Sequence, residues 1–160
     1  MKIAFSNDHA ALESRPLIKW LKDQGHEVDD FGTDSTASVD YPNMAAPALA
    51  ELKEGKVERV VLVCGSGVGM SIVANRVPGI RCALVTDLYA AEMSRRHNNS
   101  NCLALRSRHQ SEELNLQILK LWLETDFEGG RHERRIEEIE TVGEVCSATR
   151  QLENERKALK

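Results

Sequence analysis

Apolar and polar positions alternate along this chain in two periods, short β-rich runs separated by stretches of helical spacing. The first strand runs from Lys2 to Ser6, a helix follows near Leu12 to Gln24, and His26 to Phe31 reads as a second strand. Gly25 stops that first helix, and Pro16 fits its first turn, which leaves Asp8 to Ser14 as loop or cap. The polar stretch from Gly32 to Pro42 reads as a surface loop before a helix around Met44 to Lys53. The run Arg59-Val60-Val61-Leu62-Val63-Cys64 is continuously apolar and β-branched after its first residue, the mark of a central parallel strand covered on both faces. Beyond a glycine-rich turn, the pattern predicts a helix near Met70 to Arg76, a strand from Ile80 to Val85 and a helix near Asp87 to His97. A strand from Asn101 to Leu105 and a helix from about Gln110 to Glu124 follow.

Repeated strand and helix units joined by short loops imply an α/β fold, a Rossmann-like three-layer sandwich with a five-stranded parallel sheet and right-handed crossovers. Past Gly129-Gly130 the chain turns strongly charged, with Ile136, Ile139, Val142 and Cys146 recurring at roughly helical spacing. So narrow a stripe buries little alone, and the expectation is a C-terminal helix that reaches a partner subunit. Neither a repeat nor a linker divides the sequence, so residues 1–160 read as one domain whose last part, about 131–160, is a charged helical extension.

Composition changes this picture little: 160 residues, 41% hydrophobic and 29% charged, suit one soluble domain. No apolar stretch is long enough to span a bilayer, and Met1 leads straight into the first strand without the zones of a secretory signal. The expected location is the cytoplasm, with no membrane partner. A net charge of −4 and a pI near 5.8 argue against nucleic acid, although Arg131-His132-Glu133-Arg134-Arg135 forms a local basic cluster. Cysteines 64, 82, 102 and 146 are too scattered for a zinc knuckle or a redox pair, and His26, His109 and His132 lack metal-ligand spacing, so they read as surface residues. No metal or cofactor is expected.

Ligands of open parallel sheets bind outside the carboxyl ends of the strands. Three segments fall there: Ser6-Asn7-Asp8-His9, Cys64-Gly65-Ser66-Gly67-Val68-Gly69, and Arg106-Ser107-Arg108. The glycine turn could cradle a phosphate, yet its spacing is not Gly-x-Gly-x-x-Gly, and no acidic residue closes the next strand to grip a ribose. Cys64 supports another chemistry, because a thiolate beside a helix N-terminus is stabilised by the helix dipole and can abstract a proton. Local sequence alone leaves that reading open against a buried strand-end cysteine. Asp8 is equally open as a helix cap, His97 as a favourable charge at a helix end, and Arg131 and Arg135 as a solvated face.

Several motifs in order narrow the choice: Asp8-His9-Ala10, Asp40-Tyr41-Pro42, Cys64-Gly65-Ser66-Gly67-Val68-Gly69 with Ala74-Asn75, Gly79-Ile80-Arg81, Ser94-Arg95-Arg96-His97-Asn98, and Phe127-Glu128-Gly129-Gly130-Arg131-His132. With these the chain resembles the family of ribose-5-phosphate isomerase B and the galactose-6-phosphate isomerase subunits. The resemblance implies a cofactor-free aldose-ketose isomerase of the pentose phosphate pathway, assembled as a homodimer or tetramer with a shared active site. It makes Cys64 the base that moves a proton between carbons 1 and 2 through an enediolate, whose oxygen is held by amides from Gly65, Gly67, Val68 and Gly69 to Ser71. It makes His97 the residue assisting ring opening, with Asp8 and Ser66 near the ring oxygen or hydroxyls, and Tyr41 and Asn98 positioning the sugar. His9, Arg108, Arg131 and Arg135 become the phosphate clamp. His97 and Asn98 end a helix on the far side of the sheet from Cys64, so another subunit supplies them more easily.

Departures from the family pattern cluster near this site: Ala11 and Ser14-Arg15-Pro16 in the first loop, Ser66 where threonine is common, Asn99 where aspartate is frequent, and Arg106 where the residue is usually small. They leave the base and clamp in place. The sugar stays open between ribose 5-phosphate and a related four- or six-carbon phosphate, and a non-catalytic phosphate or nucleotide sensor is the alternative from another class.

Overall fold

The computed structural model describes residues 1–142, so Cys146 and the outer part of the charged stripe lie outside the described residues. The chain divides into two compact units at 127/128. The first holds five strands, β1 (Lys2–Asn7), β2 (Glu27–Asp30), β3 (Arg59–Cys64), β4 (Cys82–Leu84) and β5 (Cys102–Arg106). It also holds five α-helices, α1 (Pro16–Asp23), α2 (Tyr41–Lys53), α3 (Val68–Ala74), α4 (Leu88–Arg96) and α5 (Glu112–Glu124). In the second unit a helix, α6, covers 131–142.

All strand pairs are parallel, in the order β2-β1-β3-β5-β4. Side-chain alternation on β3 explains why its sequence is apolar at successive positions. Val61 and Val63 join Ile3, Phe5, Leu103 and Leu105 under Leu17 and Leu21 of α1 and Ile118, Leu119 and Trp122 of α5. Val60, Leu62 and Cys64 face the other way, with Ala4 and Cys102, against Ala45, Ala48 and Leu49 of α2 and Met70 and Ala74 of α3. The three layers expected from the sequence are therefore present, and Cys64 belongs to the α2/α3 side.

Boundaries differ where proline and glycine were read too strictly. Helix α2 begins at Tyr41, three residues before Met44, because Pro42 lies in its first turn, where a missing amide hydrogen breaks no bond. Pro16 opens α1 as expected, but Leu12–Ser14 forms a short 3-10 turn rather than irregular loop. Helix α3 starts at Val68, two residues early, since Gly67 at φ 74° supplies the left-handed turn that lets the helix begin at once. Strand β4 is only Cys82–Leu84, an edge strand paired to β5 alone.

Candidate active site

Helix α1, after β1, and α3, after β3, cover opposite faces of the sheet although β1 and β3 are neighbours. The two chains diverge at the carboxyl edge and leave a crevice, the usual ligand position in such sheets. A cavity of about 560 Å³ opens there, lined from β1 by Asp8, His9 and Ala10 and from β3 by Cys64, Gly65, Ser66, Val68 and Gly69. Tyr41 at the start of α2, Leu84 at the end of β4 with Thr86 beyond it, and Arg106 at the end of β5 with Arg108 and His109 beyond it complete the lining.

The crevice is stapled by hydrogen bonds between strand ends. The Asp8 amide donates to the Val63 carbonyl at 3.2 Å, Ser107 N–H to Cys64 O at 3.0 Å and Arg108 N–H to Gly65 O at 3.0 Å. The Ser107 hydroxyl donates to Ala10 O at 2.6 Å, so one residue joins the loops after β1, β3 and β5. Ser107 carries no reactive role in the sequence reading; only its place in the strand-end segment pointed to it.

At the centre, Cys64 is 5% exposed and accepts a hydrogen bond from the Gly67 amide at 3.1 Å. The glycine turn thus folds back onto the sulfur. Ser66 Oγ accepts from the Val68 amide at 3.3 Å. The amides of Gly65, Ser66 and Gly69 have no hydrogen-bond partner among the described residues. Ser71 does not fit its expected place among the oxyanion donors. Its amide donates to Gly67 O at 3.0 Å inside the helix, and its hydroxyl is turned to Val68 O at 2.8 Å.

Asp8 is buried, with Oδ1 accepting from the Ala10 amide at 2.9 Å, so it shapes the first loop as well as lining the cavity. His9 Nδ1 accepts from Val39 N–H at 3.2 Å, which leaves Nε2 to carry the ring proton as a donor. Gly69 lets the Tyr41 ring lie on the turn: a β-carbon there would stand 2.8 Å from ring carbons.

The remaining expected residues are not among the cavity lining. His97 caps the end of α4, and the carbonyl of Asn98 accepts from Arg81 Nε at 3.1 Å; neither lines the cavity. Since α4 runs from the carboxyl edge back to the amino edge of the parallel sheet, its end cannot reach Cys64 of its own chain. Arg131 and Arg135 are exposed on α6. His109 is exposed, as the surface reading expects, but also lines the cavity at φ 59°; His132 departs from that reading, buried with Nε2 3.5 Å from a Glu128 carboxylate oxygen. Thr86, Arg106 and His109 were not assigned from sequence, although the strand-end rule points at each of their segments.

No helix among the described residues is long and apolar enough to cross a membrane. Residues 3–139 match the family model described as ribose/galactose isomerase. Ribose-5-phosphate isomerase B of Escherichia coli is 40% identical over 142 residues, 88% of this chain and 95% of that protein. A solved Clostridium thermocellum ribose-5-phosphate isomerase B superposes with a TM-score of 0.87 at 43% identity, over 90% of this chain and 98% of the other. The Mycoplasma genitalium enzyme of that name, solved with bound ribulose-5-phosphate, gives 0.85 at 35% identity, over 89% and 96%. With a family model spanning most of its length and relatives this similar, the chain belongs to the ribose/galactose isomerase family and is an isomerase.

Proposed function

We propose that the protein interconverts ribose 5-phosphate and ribulose 5-phosphate, with Cys64 as the base. The observation that carries this reading is the Cys64 sulfur, seated in the cavity and contacted by the Gly67 amide, with free amides of the same turn beside it. In the open-chain aldose, Sγ takes the proton from carbon 2 and negative charge moves to the carbonyl oxygen, where the amides of Gly65, Ser66 and Gly69 hold it. The hydroxyl proton of oxygen 2 passes to the oxygen on carbon 1, the sulfur returns its proton to carbon 1, and carbon 2 becomes the ketone. His9 and Arg108 bind the phosphate, and Asp8, Ser66 and Tyr41 hold the sugar hydroxyls. The chain acts as one isomerase domain, and a partner copy contributes His97 for ring opening, Asn98 beside it, and Arg131 and Arg135 at the phosphate. The position of His97 at the amino edge of the sheet supports a shared site, as do the exposed apolar side chains of Val68 and Ile72 on α3.

The test is an assay of the purified protein, without added metal or nucleotide, against aldose and ketose phosphates of four to six carbons, beside Cys64→Ala. The expected result is turnover with ribose 5-phosphate preferred, and a kcat lowered about 10²–10⁴-fold in the variant, the usual worth of a general base. Preference for another sugar phosphate overturns the substrate, and binding without turnover overturns the enzyme.

A further inference from the structure

We propose that Arg106 is a second phosphate-binding guanidinium of this cavity, acting beside Arg108, and that Gln110 positions it. The proposal rests on the reading of a sugar phosphate as substrate and adds to the clamp a residue of the same chain as Cys64.

Three observations carry it. First, Arg106 and Arg108 line one cavity together with His9 and His109, whereas the only carboxylate among the lining residues is Asp8, already engaged by the Ala10 amide. Some arginines of the chain are matched by acids, Arg15 at 2.6 Å from Asp30 and Arg96 at 3.0 Å from Glu92. Arg106 and Arg108 pair with no carboxylate among the described residues, so their charge is left uncompensated in a concave site, where it draws anions.

Second, Arg106 is held by neutral groups. Its Nε donates to Gln110 Oε1 at 2.8 Å, Gln110 Nε2 donates to Asn115 Oδ1 at 2.6 Å, and Asn115 Nδ2 donates back to Arg106 O at 2.9 Å. This closed ring fixes the arm without neutralising it, and it occupies Nε alone. The terminal nitrogens remain a preset fork, the geometry that binds phosphate through two parallel hydrogen bonds.

Third, the backbone under both arginines is pinned. Ser107 and Arg108 amides donate to Cys64 O and Gly65 O, and the Ser107 hydroxyl to Ala10 O. An arginine fixed at its backbone and at Nε loses little further freedom when it takes a ligand, so more of the contact appears as affinity.

The experiment is calorimetric titration of the full chain with inorganic phosphate, joined to steady-state kinetics on the preferred sugar phosphate, for Arg106→Gln, Arg106→Lys and Gln110→Ala. Loss of one charged hydrogen-bonded contact predicts phosphate affinity weakened about tenfold or more in Arg106→Gln, with KM raised in parallel and kcat nearly kept. Arg106→Lys falls between, since it keeps charge without the fork, and Gln110→Ala raises KM by a smaller factor. Phosphate affinity and KM within about twofold of wild type in Arg106→Gln overturn the contact, and a fall in kcat at constant KM overturns the phosphate role. Wild-type behaviour of Gln110→Ala overturns the positioning role. Phosphate titration needs no turnover: if no sugar phosphate reacts while Arg106→Gln still loses phosphate, the isomerase reading fails and Arg106 stands.

Discussion

Ser107 has no reactive partner in the cavity, yet its amide reaches the Cys64 carbonyl and its hydroxyl reaches Ala10. Removing the hydroxyl in Ser107→Ala leaves the Ala10 carbonyl without this donor, at a cost of about 1–2 kcal/mol in stability by urea unfolding. Because the same bond sets the loop carrying Asp8 and His9, KM rises as well; an unchanged KM would show that this loop is held by other contacts. Such a role was invisible in the sequence, where Ser107 is a small polar residue between two arginines and nothing marks its distant acceptors. Cys64 was legible because chemistry and position coincide, a thiol at the end of an apolar run before a glycine turn. His109 was not, since its place in the cavity depends on a left-handed backbone at φ 59°, unusual for a side chain of that size and unmarked by any glycine or asparagine.

Between elements, the contact of α3 with α2 sets one wall of the cavity. Gly69 lies against the Tyr41 ring, and Gly69→Ala places a methyl group where the ring now sits. Alanine favours the helix by about 1 kcal/mol and Tyr41 is 40% exposed, free to swing away. The variant therefore folds at least as stably as wild type but binds sugar phosphate more weakly, a separation read by thermal melting against KM.

At the far edge, Arg95 fastens the end of α4. Its guanidinium donates to Ser100 O at 2.5 Å, Asn99 Oδ1 at 2.9 Å and Thr125 O at 3.2 Å, and stands 5.9 Å from the Trp122 ring centre. Burial, then the nearby Arg59, push its pKa down to about 10, still well above neutrality, so it remains charged. Arg95→Met strands these acceptors and lowers stability by about 2–4 kcal/mol in urea unfolding, with loss of activity through His97 and Asn98 two and three residues on. The five parallel strands and the three layers were readable from periodicity because β3 is apolar on both faces, whereas the strand order came only with the structure. This clamp was not readable, since two of its partners are backbone carbonyls, and the one at Thr125 is brought to Arg95 only by the crossover.

For the whole molecule, the parallel topology has one consequence that no local change can remove: Cys64 and His97 stand at opposite edges of one sheet. A site using both needs two chains. Cys64→Ala and His97→Ala are each inactive alone on this account. Refolded together in equal amounts, they recover about a quarter of wild-type activity, since half of randomly assorted dimers are mixed and each mixed dimer has one intact site. No recovery from mixed dimers would show that Cys64 and His97 do not meet across two chains and would overturn the shared site.

The central claim, that Cys64 moves the proton, is tested most directly by running the reaction in D₂O and weighing the sugar phosphate. Wild-type enzyme is predicted to introduce solvent deuterium on carbon through the enediolate, and Cys64→Ala to introduce none in the same interval. Exchange in Cys64→Ala at the wild-type rate would contradict the account.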